Sequence, residues 1–176
     1  MLKVKAGDLE KLSLLYQRYS RRMYGFFYRM TTDGATSEDL VQNVFMRMLK
    51  YKHTYADDGK FETWAFRLAR NVHHDHYKKN KRYLHQEDMT TWEQRMEQSG
   101  NVENDWVKSD EMSHLKQALD MLSPEKRELI EMTRFQQMKY ADVAAVLGTN
   151  EGAVKVRMHR ALKSLREVYE KIESRV

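Results

Sequence analysis

Proline occurs once in this 176-residue chain, at Pro124, and glycine only seven times. Tight reversals draw on those two residues, because glycine reaches positive φ and proline presets φ near roughly −65°. A chain so poor in both lacks the closely spaced turns of an antiparallel β fold, and it has no glycine-rich phosphate loop of the form GxxxxGK[ST]. The expected fold class is all-α.

Apolar spacing places the helices. Leu9, Leu12, Leu15, Tyr16, Tyr19, Met23, Phe26 and Phe27 recur at steps of three and four, which predicts an amphipathic helix from Asp8 to about Met30. Thr32-Asp33-Gly34 breaks the pattern, and Thr36 with Asp39 is the expected capping pair of a second helix. That helix carries Leu40, Val41, Val44, Phe45, Met48 and Leu49 and is expected to end near Lys52. A polar loop from Thr54 to Lys60 then precedes a third helix, whose Phe61, Trp64, Ala65, Leu68, Ala69 and Val72 face one way. Three such stripes can share one small core.

From about Tyr83 to Asp110 the periodicity weakens, and between Glu87 and Glu111 eight acidic residues stand against two basic ones. This predicts a flexible acidic linker, 84–110, between two small helical domains, 1–83 and 111–176. A solvated acidic helix around Trp92 to Met96 is the alternative for part of it. The second domain is expected to open with a helix from about Glu111 to Leu122 and to restart at Leu122-Ser123-Pro124-Glu125, with Ser123 as N-cap and Pro124 at the first helical position. A short helix from Tyr140 to Leu147 stops at Gly148, and a last one runs from about Glu151 to Ile172.

These last two helices have helix-turn-helix spacing, with Ala144 four residues before Gly148 and Val154 six after it. The crossing demands a small side chain, the turn favours glycine, and apolar residues seal the pair. An ordinary helical hairpin makes similar demands, so the outer face of the last helix has to discriminate. At about 100° per residue, Val154, Met158, Ala161, Leu162 and Leu165 fall on one side, while Val156, His159, Arg160 and Lys163 fall on the other. Lys155 and Arg166 flank that stripe and Arg157 lies to one side, giving five positive charges against one negative from Glu151 to Arg166. Cations of this kind attract phosphates and can read guanine, and an apolar Val156 amid them suits a thymine methyl.

The third helix presents Arg67, Arg70, Asn71, His74, Lys78, Lys81 and Arg82 on its polar side, with Tyr55, Phe61, Trp64 and Phe66 near its start. Positive charge beside aromatic rings suits single-stranded nucleic acid, although rings at helical spacing also build cores. His73-His74-Asp75-His76 invites a metal-site reading. Neighbouring helical side chains diverge by about 100°, so only His73 and His76 could converge, and no other cluster completes a ligand set. No Ser-His-Asp arrangement, carboxylate pair or nucleotide loop stands out, so neither catalytic residues nor a cofactor are expected.

Thirty-one Lys and Arg against twenty-six Asp and Glu leave a net charge of +5, which favours a polyanionic partner. The absence of cysteine excludes disulfides, thiolate metal sites and a thiol nucleophile. Mean hydropathy of −0.83, no long apolar run and an N-terminus without the apolar core of a signal peptide lead to the expectation of a cytoplasmic protein with no membrane insertion.

In three stretches the chain resembles the extracytoplasmic-function (ECF) sigma factors of the sigma-70 family, small bacterial initiation factors of RNA polymerase. Glu38-Asp-Leu-Val-Gln-Asn-Val-Phe45 is similar to the family's region 2.2, and Phe61-Glu-Thr-Trp-Ala-Phe-Arg-Leu-Ala-Arg-Asn71 to regions 2.3 and 2.4. Leu122-Ser-Pro-Glu-Lys-Arg-Glu128 and Glu151-Gly-Ala-Val-Lys-Val-Arg-Met-His-Arg-Ala161 resemble region 4. All occur in the family's order over nearly the full length.

The resemblance implies that Asp39, Gln42, Asn43, Arg47 and Lys50 bind the β′ clamp helices of the polymerase core, whose β flap is a further contact. It implies that Tyr55, Asp57, Asp58, Lys60, Phe61, Phe66, Arg67, Asn71, Asp75 and Lys78 serve the minus-ten element, where a base flipped from the non-template strand is captured. Lys155, Val156, Arg157, His159, Arg160 and Lys163 correspond to positions facing the minus-thirty-five element in duplex DNA. The linker would thread through a basic channel of the polymerase, and an anti-sigma factor, often membrane-bound, would hold the chain inactive at the inner membrane. The chain departs from the family's pattern at Asn43, Asp75 and Thr149. The expected function is that of a sigma factor directing core polymerase to promoters and assisting melting. The competing readings are a dimeric helix-turn-helix regulator acting without polymerase and a metal-dependent hydrolase built on His73, His74, Asp75 and His76.

Overall fold

The computed structural model describes residues 1–56, 60–84 and 110–174, with side chains described up to residue 80 in the helix that ends the second stretch and from 112 to 174 in the third. The chain forms two compact units, Met1–Asn101 and Val102–Val176. The predicted linker, apart from its end residues 84 and 110, lies outside the described residues, as does the alternative helix around Trp92. Among the described residues all regular structure is helical, and no helix is long and apolar enough to cross a membrane.

The first unit contains α1 (Leu2–Lys5), α2 (Lys11–Thr31), α3 (Gly34–Lys50), a 3₁₀ turn (Lys52–Thr54) and α4 (Phe61–Leu84). Helix α3 lies against both α2 and α4. Met23, Phe26 and Phe27 of α2, Val44 and Met48 of α3, and Phe66, Ala69 and Val72 of α4 fill the core between them. Fully burying a side chain of this size stabilises by about 1.5–3 kcal/mol, so the core, more than helix propensity, holds these helices.

Two boundaries differ from the sequence expectation. The first long helix begins at Lys11 and not Asp8, because α1 precedes it and closes at Gly7. Gly7 takes φ +110°, and the Asp8 and Gly7 amides donate to Lys3 and Val4 carbonyls at 3.0 and 3.1 Å, the paired bonds of a Schellman turn. Leu9 falls in the intervening turn and is 54% exposed, so it leaves the apolar stripe. The second helix begins at Gly34, capped by Asp33 and not by Thr36. Asp33 has extended backbone, which aims its carboxylate at the Thr36 amide, whereas Thr36 already lies inside the helix.

The second unit contains α5 (Asp110–Asp120), α6 (Pro124–Ile130), a π turn (Glu131–Phe135), α7 (Tyr140–Leu147) and α8 (Glu151–Glu173). Helix α8 packs on α5, α6 and α7 around Leu129, Ile130, Met132, Val143, Ala144, Val154, Met158 and Ala161. Pro124 occupies the first turn of α6 as expected, while the Ser123 hydroxyl makes no capping bond. The π turn was not legible in the sequence. It widens the helix by one residue, and Gln136 answers by donating Nε2 to Glu131 Oε1 at 2.9 Å inside the core.

Candidate nucleic-acid interface

On α3, Asp39, Gln42, Asn43 and Lys50 are exposed and Arg47 is half-buried, opposite the core face of Leu40, Val44 and Met48. Met46, absent from the sequence reading, is 68% exposed on the outer side of α3. Its place four residues after Gln42 and four before Lys50 was signal enough to find it. Arg47 donates Nε to Asn43 Oδ1 at 2.9 Å and pairs through Nη1 with Asp75 Oδ2 on α4 at 2.8 Å. Asn43 and Asp75 thus meet on one guanidinium.

The predicted minus-ten residues divide into two groups. Arg67, Asn71, Asp75 and Lys78 are all exposed and recur at steps of three and four, which places them on one face of α4. Lys60 is exposed and Phe61 half-buried at the helix start. Phe66 does not belong with them. It is 1% exposed, its ring lies 5.8 Å from Phe26, and an aromatic held in the core offers no face to a base. Tyr55 is also buried; its ring meets Trp64 and Phe61 edge-on at 5.4 and 6.2 Å, so it supports the surface from beneath. Asp57 and Asp58 lie outside the described residues, as do the side chains of Lys81 and Arg82.

Two cations the sequence reading missed, Arg22 and Lys5, hold this surface. Arg22 on α2 reaches Glu62 Oε1 at 2.7 Å while its guanidinium lies 5.7 Å from the Phe66 ring centre, and Tyr19 packs on Phe61 at 4.9 Å. Lys5 on α1 donates to the Tyr55 carbonyl at 2.7 Å. Both contacts join residues at least forty positions apart, so nothing local announced the partner.

The His73-His74-Asp75-His76 run does not converge. His73 is buried, Asp75 is held by Arg47, and His76 Nε2 lies 3.1 Å from Asn80 Nδ2. Among the described residues no group of three His, Asp or Glu is placed to hold a metal ion.

In the second unit the helix-turn-helix crossing buries Ala144, Val154 and Met158. Gly148 takes φ +65° between the helices, and Asn150 caps α8 through its side chain. Lys155, Val156, Arg157, His159, Arg160 and Lys163 are all exposed, with Val156 52% exposed at the centre of the polar face. The charges are unequal in availability. Lys155 pairs with Glu151 at 2.8 Å, a bond that raises its ammonium above the ordinary lysine value, and Arg166 pairs with Glu170 at 2.8 Å. Lys163 stands 4.0 Å from Glu167, whereas Arg157 and Arg160 carry no ion pair among the described residues.

The Sigma-70 region 2 family matches residues 15–83, and the Sigma-70 region 4 family matches residues 114–165. The ECF RNA polymerase sigma factor SigX of Bacillus subtilis is 31% identical over 90% of this chain and 83% of its own length. CarQ of Myxococcus xanthus, an RNA polymerase sigma factor, is 27% identical over 100% of this chain and 99% of its own length. The ECF sigma factor BldN of Streptomyces coelicolor is 31% identical, and the chain spans 62% of its length. Among solved structures, the sigma factor RpoE of Bartonella quintana, crystallised with the anti-sigma factor NepR, has a TM-score of 0.72 at 22% identity, covering 92% of this chain and 98% of that one. CnrH, solved with the cytosolic domain of CnrY, has a TM-score of 0.71 at 20% identity, covering 97% of this chain and 94% of that one. With both family regions matched in order and a relative at this identity aligned over most of both chains, the protein belongs to the ECF sigma factors of the sigma-70 family.

Proposed function

We propose that this sigma factor engages core RNA polymerase through the outer face of α3, reads and holds the melted minus-ten element with the exposed face of α4 and the loop before it, and reads the minus-thirty-five element with α8. The observation that carries the reading is the pattern on α8: Val156 exposed between cations, two of them, Arg157 and Arg160, without an ion pair among the described residues. An arginine already neutralised within the protein has less to offer a phosphate or a guanine, while an uncommitted one gains both charge and a bidentate donor edge.

Capture of an unstacked base carries a cost of a few kcal/mol, which contacts along α4 must offset. Arg67 and Lys78 suit the phosphates, and Asn71 suits a base edge. The chain works by binding and positioning, with no covalent chemistry of its own. Its place is the cytoplasm, where an anti-sigma factor holds it until release; the relatives RpoE and CnrH, the first solved with an anti-sigma factor and the second with the cytosolic domain of CnrY, support that partnership.

The experiment is transcription in vitro with purified core polymerase and genomic DNA, with mapping of RNA starts. Initiation at a shared two-part motif only when the chain is added is the expected result. Gln42→Ala combined with Arg47→Glu should lower affinity for core; undiminished co-purification would remove that face of α3 from the interface.

A further inference from the structure

Helix α1 has only four residues, far below the length at which a helix persists by itself. Its presence is accounted for by contacts made elsewhere in the unit. Val4 is 0% exposed, α1 packs on α2 and on the 3₁₀ turn, and the Schellman turn at Gly7 redirects the chain into α2. A long-range polar contact of α1 is unusually placed: Lys5 Nζ donates to the carbonyl of Tyr55 at 2.7 Å, across fifty residues of sequence.

Tyr55 is the residue at which the 3₁₀ turn ends and the chain becomes extended, with φ −72° and ψ 119°. Its amide is engaged by the Lys52 carbonyl, its ring by Phe61 and Trp64, and its carbonyl by Lys5. A peptide group held at its carbonyl by an ammonium has its plane fixed, and that plane sets how the turn joins Ala56. Trp64 is tied to the same turn by a 3.3 Å bond from Nε1 to Thr54 Oγ1. The aromatic shelf at the start of α4 and the backbone at the end of the turn are therefore referenced to one point, and Lys5 supplies the part of that reference that comes from α1.

We infer that Lys5 is a positioning residue for promoter recognition: through the Tyr55 carbonyl, α1 braces the aromatic shelf of Tyr55, Phe61 and Trp64 at the start of α4, and so sharpens discrimination among bases of the minus-ten element. This rests on the role proposed above for α4. Lys5 touches no DNA in this role, and its side chain lies at the surface, so its replacement leaves the core of the unit intact.

The test uses full-length chain with core polymerase on a promoter mapped as above and on a series with each minus-ten base replaced in turn. Lys5→Met keeps the aliphatic stem and removes the donor. It should lower the ratio of transcription from preferred to replaced bases by roughly three- to tenfold, the size expected for one charge-assisted bond to a carbonyl at a partly exposed site, with affinity for core unchanged. Lys5→Arg, which retains a donor, should restore the ratio. An unchanged ratio, or an equal fall on every promoter in the series, overturns the brace. Lys60→Ala, run in parallel, separates the two readings: a changed ratio for Lys60→Ala with none for Lys5→Met sinks the brace alone, whereas no change for either sinks the minus-ten role of the start of α4 along with it.

Discussion

The guanidinium of Arg47 on α3 and the carboxylate of Asp75 on α4 lie 2.8 Å apart, joining the helix proposed to bind polymerase to the helix proposed to hold melted DNA. The side chains are 28% and 58% exposed, so solvent screens the pair. A double-mutant cycle of Arg47→Ala and Asp75→Ala, read from urea unfolding on the amides of α3 and α4, should give a coupling of about 0.2–1 kcal/mol. A coupling above about 2 kcal/mol would mean that the pair is a structural clamp and not a screened surface contact.

Asp33 caps α3, and the hydrogen bond from the Thr36 amide holds its carboxyl below the ordinary aspartate range. Asp33→Ala should cost about 1 kcal/mol. Because the folded-state value is the lower one, the cap's ionic contribution is present above the unfolded value of about 3.9 and is lost as pH falls through the folded value. The urea midpoint of Asp33→Asn should therefore fall less than that of the native chain between neutral pH and pH about 3. Parallel falls would remove Asp33 as the titrating group.

Thr32 ends α2 with φ +56°, a left-handed conformation that a β-branched residue adopts only under strain. Thr32→Gly should raise stability by about 0.5–1 kcal/mol, since relief of the backbone exceeds the loss of the part-buried bond from Thr32 Oγ1 to the adjacent Thr31 carbonyl. Thermal melting of the two proteins side by side decides it; a lower midpoint for the glycine variant contradicts the strain argument.

Ala144 is 4% exposed where α7 meets α8. Ala144→Leu forces extra volume into that crossing and should cost about 1–3 kcal/mol. The loss should be confined to the second unit, so affinity for core through α3 persists while recognition of the minus-thirty-five element fails. Loss of both together would show that the two functions are not carried separately.

Arg160 and Lys163 should part company in transcription assays. Arg160→Ala is expected to relax discrimination at one base of the minus-thirty-five element, at about 1–3 kcal/mol, whereas Lys163→Ala should weaken binding evenly and reduce the salt slope by about 1. Promoter discrimination unaltered by Arg160→Ala would exclude direct base reading by that residue.

Helical period was enough to identify most buried residues of the long helices. Phe26, Phe27, Val44, Met48, Val154 and Met158 all sit where spacing put them, because a helix 3.6 residues per turn must show one apolar face to a core. Pro124 and Gly148 marked helix ends for reasons internal to the backbone. Period names a face but not the neighbour across from it. Phe66 shares the start of α4 with Phe61 and Trp64, yet only the approach of Phe26 from α2 made it core.

The amino-acid sequence by itself determined that this protein is helical, that it carries a helix-turn-helix with a basic outer face, and that it belongs with the sigma factors, because these rest on spacing and residue type within short stretches of chain. Only the tertiary structure decided that Lys5 meets Tyr55, that Arg22 meets Glu62 and that Arg47 meets Asp75. Each of those contacts joins groups far apart along the chain, and an isolated charge or carbonyl carries no mark of its partner until packing of the apolar faces has brought the two within bonding distance.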